Sequence, residues 1–158
     1  MKQDKFTPIG PESFYWMLYS QFSGRSELGI QHQQLKSPYQ MQNQGCDRFW
    51  KLYLEKHPVI INMIEEMKSK GEITDVVSFF QEQQQGKKPV ALPIIASIAN
   101  LMEIDILIIE PKKKEKSFWR INGSLTSESD SNKPPIITGR LNDQFQSLLP
   151  LDGAGKNY

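Results

Sequence analysis

The stretch IDILIIE at residues 104–110 constrains the fold of this chain more than any other segment. It is apolar, rich in β-branched residues and short, which is typical of a strand buried inside a sheet. The segment before it, LPIIASIANLME at residues 92–103, places small and apolar residues at helical spacing. A helix that leads directly into a buried strand predicts a core in which helices pack on a sheet.

Helical patterns dominate the chain before this unit, and strand patterns dominate after it. The apolar spacing predicts helices over residues 13–23, 26–40, 46–57, 58–71 and 74–86. The second of these is expected to end near Pro38, and the third to stop at Pro58. Further strands are predicted over residues 117–122, 134–139 and 144–151. This order favours an α+β or α/β domain in which one small sheet packs on helices.

Length and charge narrow the class of protein. At 158 residues the chain is long enough for one domain with a real core, so we expect a single domain over residues 1–158. A formal net charge of +1 provides no global field to attract nucleic acid or an acidic membrane. The single cysteine, Cys46, excludes an intrachain disulfide, and the first residues show no apolar signal segment. These features favour an intracellular, cytoplasmic protein or domain.

Ser13 stands where a loop broken by proline and glycine meets an aromatic helix. Such a position suits either a nucleophile or a helix N-cap. A serine nucleophile needs a base within hydrogen-bond reach, and the sequence offers only His32 and His57. His57 directly precedes Pro58, and His32 lies in a glutamine-rich segment, so surface or capping roles suit both. The pattern Gly-x-Ser-x-Gly is absent, and the residues alone assemble no catalytic constellation.

Other chemistry-bearing residues have simple structural interpretations. Cys46 opens a predicted helix, where either a low-pKa thiol or a structural cysteine would fit. Two histidines and one cysteine match no metal-ligand spacing, and a glycine-rich phosphate loop is absent from the sequence, so we expect no metal and no cofactor. A basic run suits a solvated hairpin or, as an alternative, contact with phosphate; it comprises Lys112, Lys113, Lys114 and Lys116.

Three separated segments, in this order, resemble the ovarian-tumour (OTU) family of papain-like cysteine proteases, which cleave ubiquitin from proteins. GPESFY at residues 10–15 is similar to the family's Asp-Gly-Asn/Asp-Cys-Leu-Phe box, and HQQLK at 32–36 is similar to a following His-x-x-Leu-Arg element. Residues 87–110 resemble the family's helix-then-strand unit. PPIITGRLNDQFQSLLP at residues 134–150 resembles its closing hairpin, which carries an Asn-His-Tyr-x-Ser-Leu pattern. The resemblance spans residues 6–152, the expected core of the domain.

The resemblance implies an α+β fold of the OTU type, with a small, mostly antiparallel sheet packed between helices. This sequence departs from the family's motifs at the catalytic positions. Gly10 replaces an aspartate that helps to form the oxyanion hole, Ser13 replaces the nucleophile, and Gln144 replaces the catalytic histidine. Gln146 stands where an orienting Asn or Asp is often found. Because glutamine cannot accept and return a proton at neutral pH, this pattern predicts a vestigial active site in which Ser13 is a helix cap.

The resemblance therefore implies a pseudoenzyme that works by binding. We expect its partner to be ubiquitin, a ubiquitin-like protein or another protein, with no membrane partner. The binding site is expected to be lined by Glu12, Phe14, Asp143 and Phe145.

Two other functions remain as alternatives. One is an active OTU-type hydrolase, in which Ser13 is an altered or engineered nucleophile served by His32 or Asp143, or in which Cys46 is the nucleophile. The other is a nucleic-acid-contacting domain that uses the basic run, although the near-neutral net charge disfavours it.

Overall fold

A computed structural model describes residues 2–3, 13–22, 38–112, 115–125, 135–141 and 144–149. The helices within these ranges are α1 (Ser13–Phe22), α2 (Pro38–Leu54), α3 (Pro58–Ser69), α4 (Val76–Gln85) and α5 (Leu92–Met102). The strands are β1 (Lys2–Gln3), β2 (Ile106–Lys112), β3 (Glu115–Ile121), β4 (Ile136–Leu141) and β5 (Gln144–Leu149). Apart from the two-residue β1, helices precede strands along the chain, as the sequence predicts.

The strands form one sheet in the order β1-β5-β4-β2-β3. The neighbouring strands β2 and β4 are parallel, and the other three neighbouring pairs are antiparallel. The segment 104–110 therefore supplies an interior strand, as its apolar composition predicts. The mostly antiparallel α+β architecture expected from the sequence is confirmed.

Helix α5 lies at the centre of the core. Its residues from Pro93 to Ala99 are all buried, which means that every side of the helix is covered by protein. Helix α2 packs closely on it, because Gly45 has no side chain: a Cβ atom there would lie 2.7 Å from Cγ1 of Ile98. Among the described residues, no helix has the length and apolar composition needed to cross a membrane.

The boundary expected at Pro38 is wrong. Pro38 begins α2 instead of ending a helix, and α2 continues without a break through Gly45 to Leu54. A proline at the first position of a helix costs no hydrogen bond, since the N–H that it lacks would have no intrahelical partner there. The part of the predicted second helix over residues 26–37 lies outside the described residues.

The capping role considered for His57 is confirmed. His57 is the N-cap residue of α3, and its Nδ1 accepts a hydrogen bond from the Val59 N–H at 3.3 Å. Pro58 occupies the first turn of the same helix. The His-Pro pair thus starts α3, while the preceding helix α2 already ends at Leu54.

A buried acid anchors the start of β2. Asp105 accepts hydrogen bonds from the Arg120 guanidinium, the shorter at 2.7 Å, and from the Gly123 N–H at 2.9 Å. Gly123 is required by close approach, because a Cβ atom there would lie 2.7 Å from the backbone nitrogen of Ile104. These contacts hold the turn after β3 against the junction between α5 and β2.

Candidate functional site

The two segments that carry the predicted site residues Ser13 and Gln144 meet in the structure. Ser13 is the first residue of α1, and Phe145 is the second residue of β5. The Phe145 N–H donates a buried hydrogen bond to Ser13 Oγ at 2.8 Å, across 132 positions of sequence. The side chain at position 13 therefore lies against the backbone that directly follows Gln144.

The capping role expected for Ser13 does not match this geometry. Its hydroxyl oxygen accepts a hydrogen bond from the Phe145 N–H of β5, and among the described hydrogen bonds no N–H of α1 donates to this oxygen. The physical reason is that a buried backbone N–H requires an acceptor, and the serine oxygen supplies one for Phe145. Ser13 thus joins a helix terminus to a strand.

The rings of Phe14 and Phe145 reinforce this junction. They make an edge-to-face contact with centroids 5.1 Å apart, and their exposed fractions are 0% and 1%. Both rings belong to the hydrophobic core in this conformation. The expectation that they contact a partner directly does not fit this placement, because neither ring presents surface to solvent.

The remaining predicted site residues are placed as follows. Gln144 is half-buried at the start of β5, where its register partner is Leu141 of β4. The backbone of Gln146 pairs with Gly139 in the same hairpin. The other predicted positions lie outside the described residues; they are Gly10, Glu12, Asp143 and the alternative base His32.

Two charged residues that the sequence did not single out lie beside this junction. Arg140 Nε donates to Glu110 Oε2 at 2.8 Å, and both side chains are largely buried, at 19% and 7% exposed. The Arg140 guanidinium carbon also lies 5.9 Å from the centroid of the Phe145 ring. The available sequence signal was a charged residue within a strand: Glu110 follows four apolar residues in β2, and Arg140 is the fifth of the six residues of β4.

Cys46 does not have the environment of a nucleophile. It is a fully buried free cysteine in α2, and it belongs to the hydrophobic core. Burial, followed by the negative charge of Asp47, raises the pKa of its thiol to about 12. Because the thiolate is the reactive form, this thiol is chemically inert at neutral pH.

Tyr15 lies beside Cys46 in the same core. Burial, followed by proximity to Cys46, raises the pKa of the Tyr15 hydroxyl well above its usual value. No hydrogen-bond partner is described for this hydroxyl. The environment of both residues thus keeps them neutral.

The described part of the chain offers no other catalytic or metal-binding cluster. His57 is the one histidine among the described residues, and its Nδ1 is engaged at the start of α3. Within those residues, no three or more His, Cys, Asp or Glu side chains are grouped so that they could hold a metal ion. The junction of Ser13, Gln144 and Phe145 is therefore the candidate site.

Comparison with solved structures relates this architecture to a known domain. The chain is similar to the OTU domain of OTUD1, with a TM-score of 0.53 over 92% of this chain and 83% of that one. The two sequences are 14% identical over this alignment. No model of a known protein family matches the chain, and a search of the curated proteins finds no match. The likeness shows that the chain has an OTU-like α+β fold, of the kind that the sequence segments resemble.

Proposed function

We propose that this protein is a catalytically silent OTU-fold module that acts by binding a protein partner. The observation that carries the proposal is the hydrogen bond from the Phe145 N–H to Ser13 Oγ. This bond occupies a lone pair of the oxygen that would have to attack a substrate carbonyl. A hydroxyl that accepts a hydrogen bond from a backbone donor is a weaker nucleophile than a free one.

The absence of a suitable base supports the same conclusion. Attack by a serine hydroxyl requires a group that removes its proton, and Gln144, next to Phe145 in the chain, is a neutral amide. General-base assistance contributes about 10² to 10⁴-fold to such reactions. Among the described residues, the recorded hydrogen bonds link Ser13 Oγ to no titratable side chain.

The burial of both candidate nucleophiles also supports the proposal that the protein is catalytically silent. Ser13 is 1% exposed, so an incoming carbonyl group cannot approach its oxygen in this conformation. The alternative nucleophile, Cys46, is buried as well and carries a thiol whose pKa is raised to about 12. Neither candidate combines access with activation, and hydrolysis is therefore not the function that we propose.

The binding role follows from the fold and from the family that the sequence resembles. Members of the OTU family cleave ubiquitin from proteins, so ubiquitin is the first partner to test. A silent copy of the fold retains a surface for such a partner while its former catalytic residues serve the core. Phe14 and Phe145 are buried, so contact would have to be made by residues around them, such as the half-buried Gln144.

The experiment combines a cleavage assay with a binding assay. The protein and its Ser13→Cys variant are incubated with a fluorogenic ubiquitin substrate, and unmodified ubiquitin is then titrated against the ¹⁵N-labelled protein by NMR. We expect no cleavage by either protein and concentration-dependent shifts in the amide signals of β5. Cleavage by the unsubstituted protein would contradict the proposal.

The variant separates two further outcomes. Cleavage by Ser13→Cys alone would mean that a base is present and that only the nucleophile is disabled, which contradicts the assignment of Gln144 to the base position. An active OTU-domain deubiquitinase serves as the positive control for the substrate. Absence of shifts at all ubiquitin concentrations would remove ubiquitin as the partner.

A further inference from the structure

The geometry points to Arg140 and Glu110 as positioning residues that hold the β4–β5 hairpin against the N-terminus of α1. This inference rests on the proposed function in one respect: it treats the Ser13–Gln144 junction as the site. The two residues are not at the expected catalytic positions. They act through Phe145.

The first step is the ion pair itself. Glu110 lies near the end of β2, and Arg140 lies near the end of the neighbouring parallel strand β4. The distance of 2.8 Å between Arg140 Nε and Glu110 Oε2 is that of a charge-assisted hydrogen bond. With both side chains largely buried, screening by solvent is weak, and the pair ties the ends of these two strands together.

The second step links the ion pair to β5. Arg140 and Phe145 are register partners in the antiparallel pair of β4 and β5, so their side chains lie on the same face of the sheet. The guanidinium carbon of Arg140 lies 5.9 Å from the centroid of the Phe145 ring, within the range of a cation–π contact. Glu110 thereby holds the cation in place, and the cation in turn contacts the ring.

The third step links β5 to α1. Phe145 contacts the Phe14 ring through its side chain and donates to Ser13 Oγ through its backbone. Glu110, Arg140, Phe145 and Ser13 thus form a continuous series of contacts from the centre of the sheet to the helix terminus. Gln144 begins the same strand, so its position depends on the same contacts.

The fold contains a matched control pair. Arg120 contacts Asp105 at 2.7 Å, and here too the acid is buried, but this pair lies at the start of β2. Neither Arg120 nor Asp105 has a described contact with Phe145. A substitution of Arg120, whose side chain is 45% exposed against 19% for Arg140, therefore removes an ion pair to a buried acid without touching the junction.

The test is amide hydrogen exchange followed by NMR on the protein alone. For each variant, the exchange rate of the Phe145 amide is divided by that of Ile108, an amide in the interior strand β2. We expect Arg140→Ala to raise this ratio about tenfold or more, the effect of losing one hydrogen bond between charged groups, and Arg120→Ala to leave it unchanged. Arg140→Lys should give an intermediate ratio, because it retains the charge but loses the planar group.

Glu110→Gln provides a second route if Arg140→Ala does not fold. It keeps the shape of the side chain and removes its charge, and we expect the ratio to rise in the same direction. An unchanged ratio in the Arg140 and Glu110 variants, or an equal rise in Arg120→Ala, would overturn the inference. Cleavage of the ubiquitin substrate by the unsubstituted protein would instead contradict the proposed function and would leave the exchange result standing.

Discussion

Ser13 Oγ and the Phe145 backbone nitrogen lie 2.8 Å apart in a buried hydrogen bond that joins the first turn of α1 to β5. Removing the oxygen leaves the Phe145 N–H buried without a partner. We expect Ser13→Ala to lower the free energy of unfolding by about 1–3 kcal/mol, the cost of an unpaired buried donor. Chemical denaturation followed by circular dichroism measures this loss of unfolding free energy.

A surface serine provides the control for this substitution. The Ser69 hydroxyl donates to the Glu66 carbonyl at the exposed end of α3, and we expect Ser69→Ala to change stability by less than about 0.5 kcal/mol. Equal effects of the two substitutions would show that the hydroxyl of Ser13 contributes no more than an exposed one.

The architecture could be predicted from the sequence because its signals are local and strong. The helix-to-strand unit at residues 92–110 carries apolar patterning that burial enforces in α5 and β2. Pro38 misled the prediction because a proline is compatible with both a helix end and a helix start, and only the packing of α2 on α5 distinguishes them.

The site was less predictable for a different physical reason. The site positions of Ser13 and Gln144 are predictions from the resemblance to the OTU family, but the partner of Ser13 Oγ is a backbone N–H. Every residue except proline has such a group, so a sequence pattern cannot single out the one at Phe145. The pair of Arg140 with Glu110 depends on strand register, which becomes known only when the sheet is assembled.

Cys46 should not react with thiol reagents while the protein is folded. Its side chain is fully buried and the pKa of its thiol is raised to about 12. We expect labelling by iodoacetamide at neutral pH to be slow in buffer and rapid in concentrated guanidinium chloride, as followed by intact mass. Rapid labelling of the folded protein would contradict the described packing of α2.

The same residue predicts a pH dependence of stability. The pKa of the Cys46 thiol is raised from 9.0 to about 12 in the folded protein, mainly by burial. Folding therefore favours the neutral thiol: the contribution of Cys46 is complete below pH 9 and is lost as pH rises from 9 towards 12. Chemical denaturation below and above pH 9 measures this effect. The free energy of unfolding should fall more at alkaline pH in the unsubstituted protein than in Cys46→Ala. Equal losses in both proteins would exclude this contribution.

Gln83 is expected to hold the connection between α4 and α5. Its Nε2 donates to the Pro89 carbonyl and its Oε1 accepts from the Ala91 N–H, both at 3.1 Å. Gln83→Leu leaves both backbone groups without this partner and should cost about 1–3 kcal/mol in unfolding free energy. The exposed Gln85 is the control, and Gln85→Leu should stay within about 0.5 kcal/mol. A similar small loss in both variants would argue against the bridging role.

Two glycines test close packing with different neighbours. A Cβ atom at Gly123 would meet the backbone of Ile104 and Ala99, whereas one at Gly45 would meet the side chain of Ile98. The side chain can adjust, and alanine adds about 1 kcal/mol of helix propensity at Gly45. We therefore expect Gly123→Ala to lower the free energy of unfolding by about 1–3 kcal/mol. Gly45→Ala should lower it less. Thermal and chemical denaturation provide the comparison, and the reverse order would contradict it.

The most direct test of the proposed catalytic silence is covalent capture by ubiquitin that carries an electrophile at its C-terminus. The protein is mixed with this probe in excess, beside an active OTU-domain deubiquitinase, and intact masses are recorded over time. A silent site predicts that the active enzyme is captured and that this protein remains unmodified. An adduct on this protein that peptide mapping assigns to Ser13 would contradict the account, because it would require an accessible and activated hydroxyl at a position that is 1% exposed.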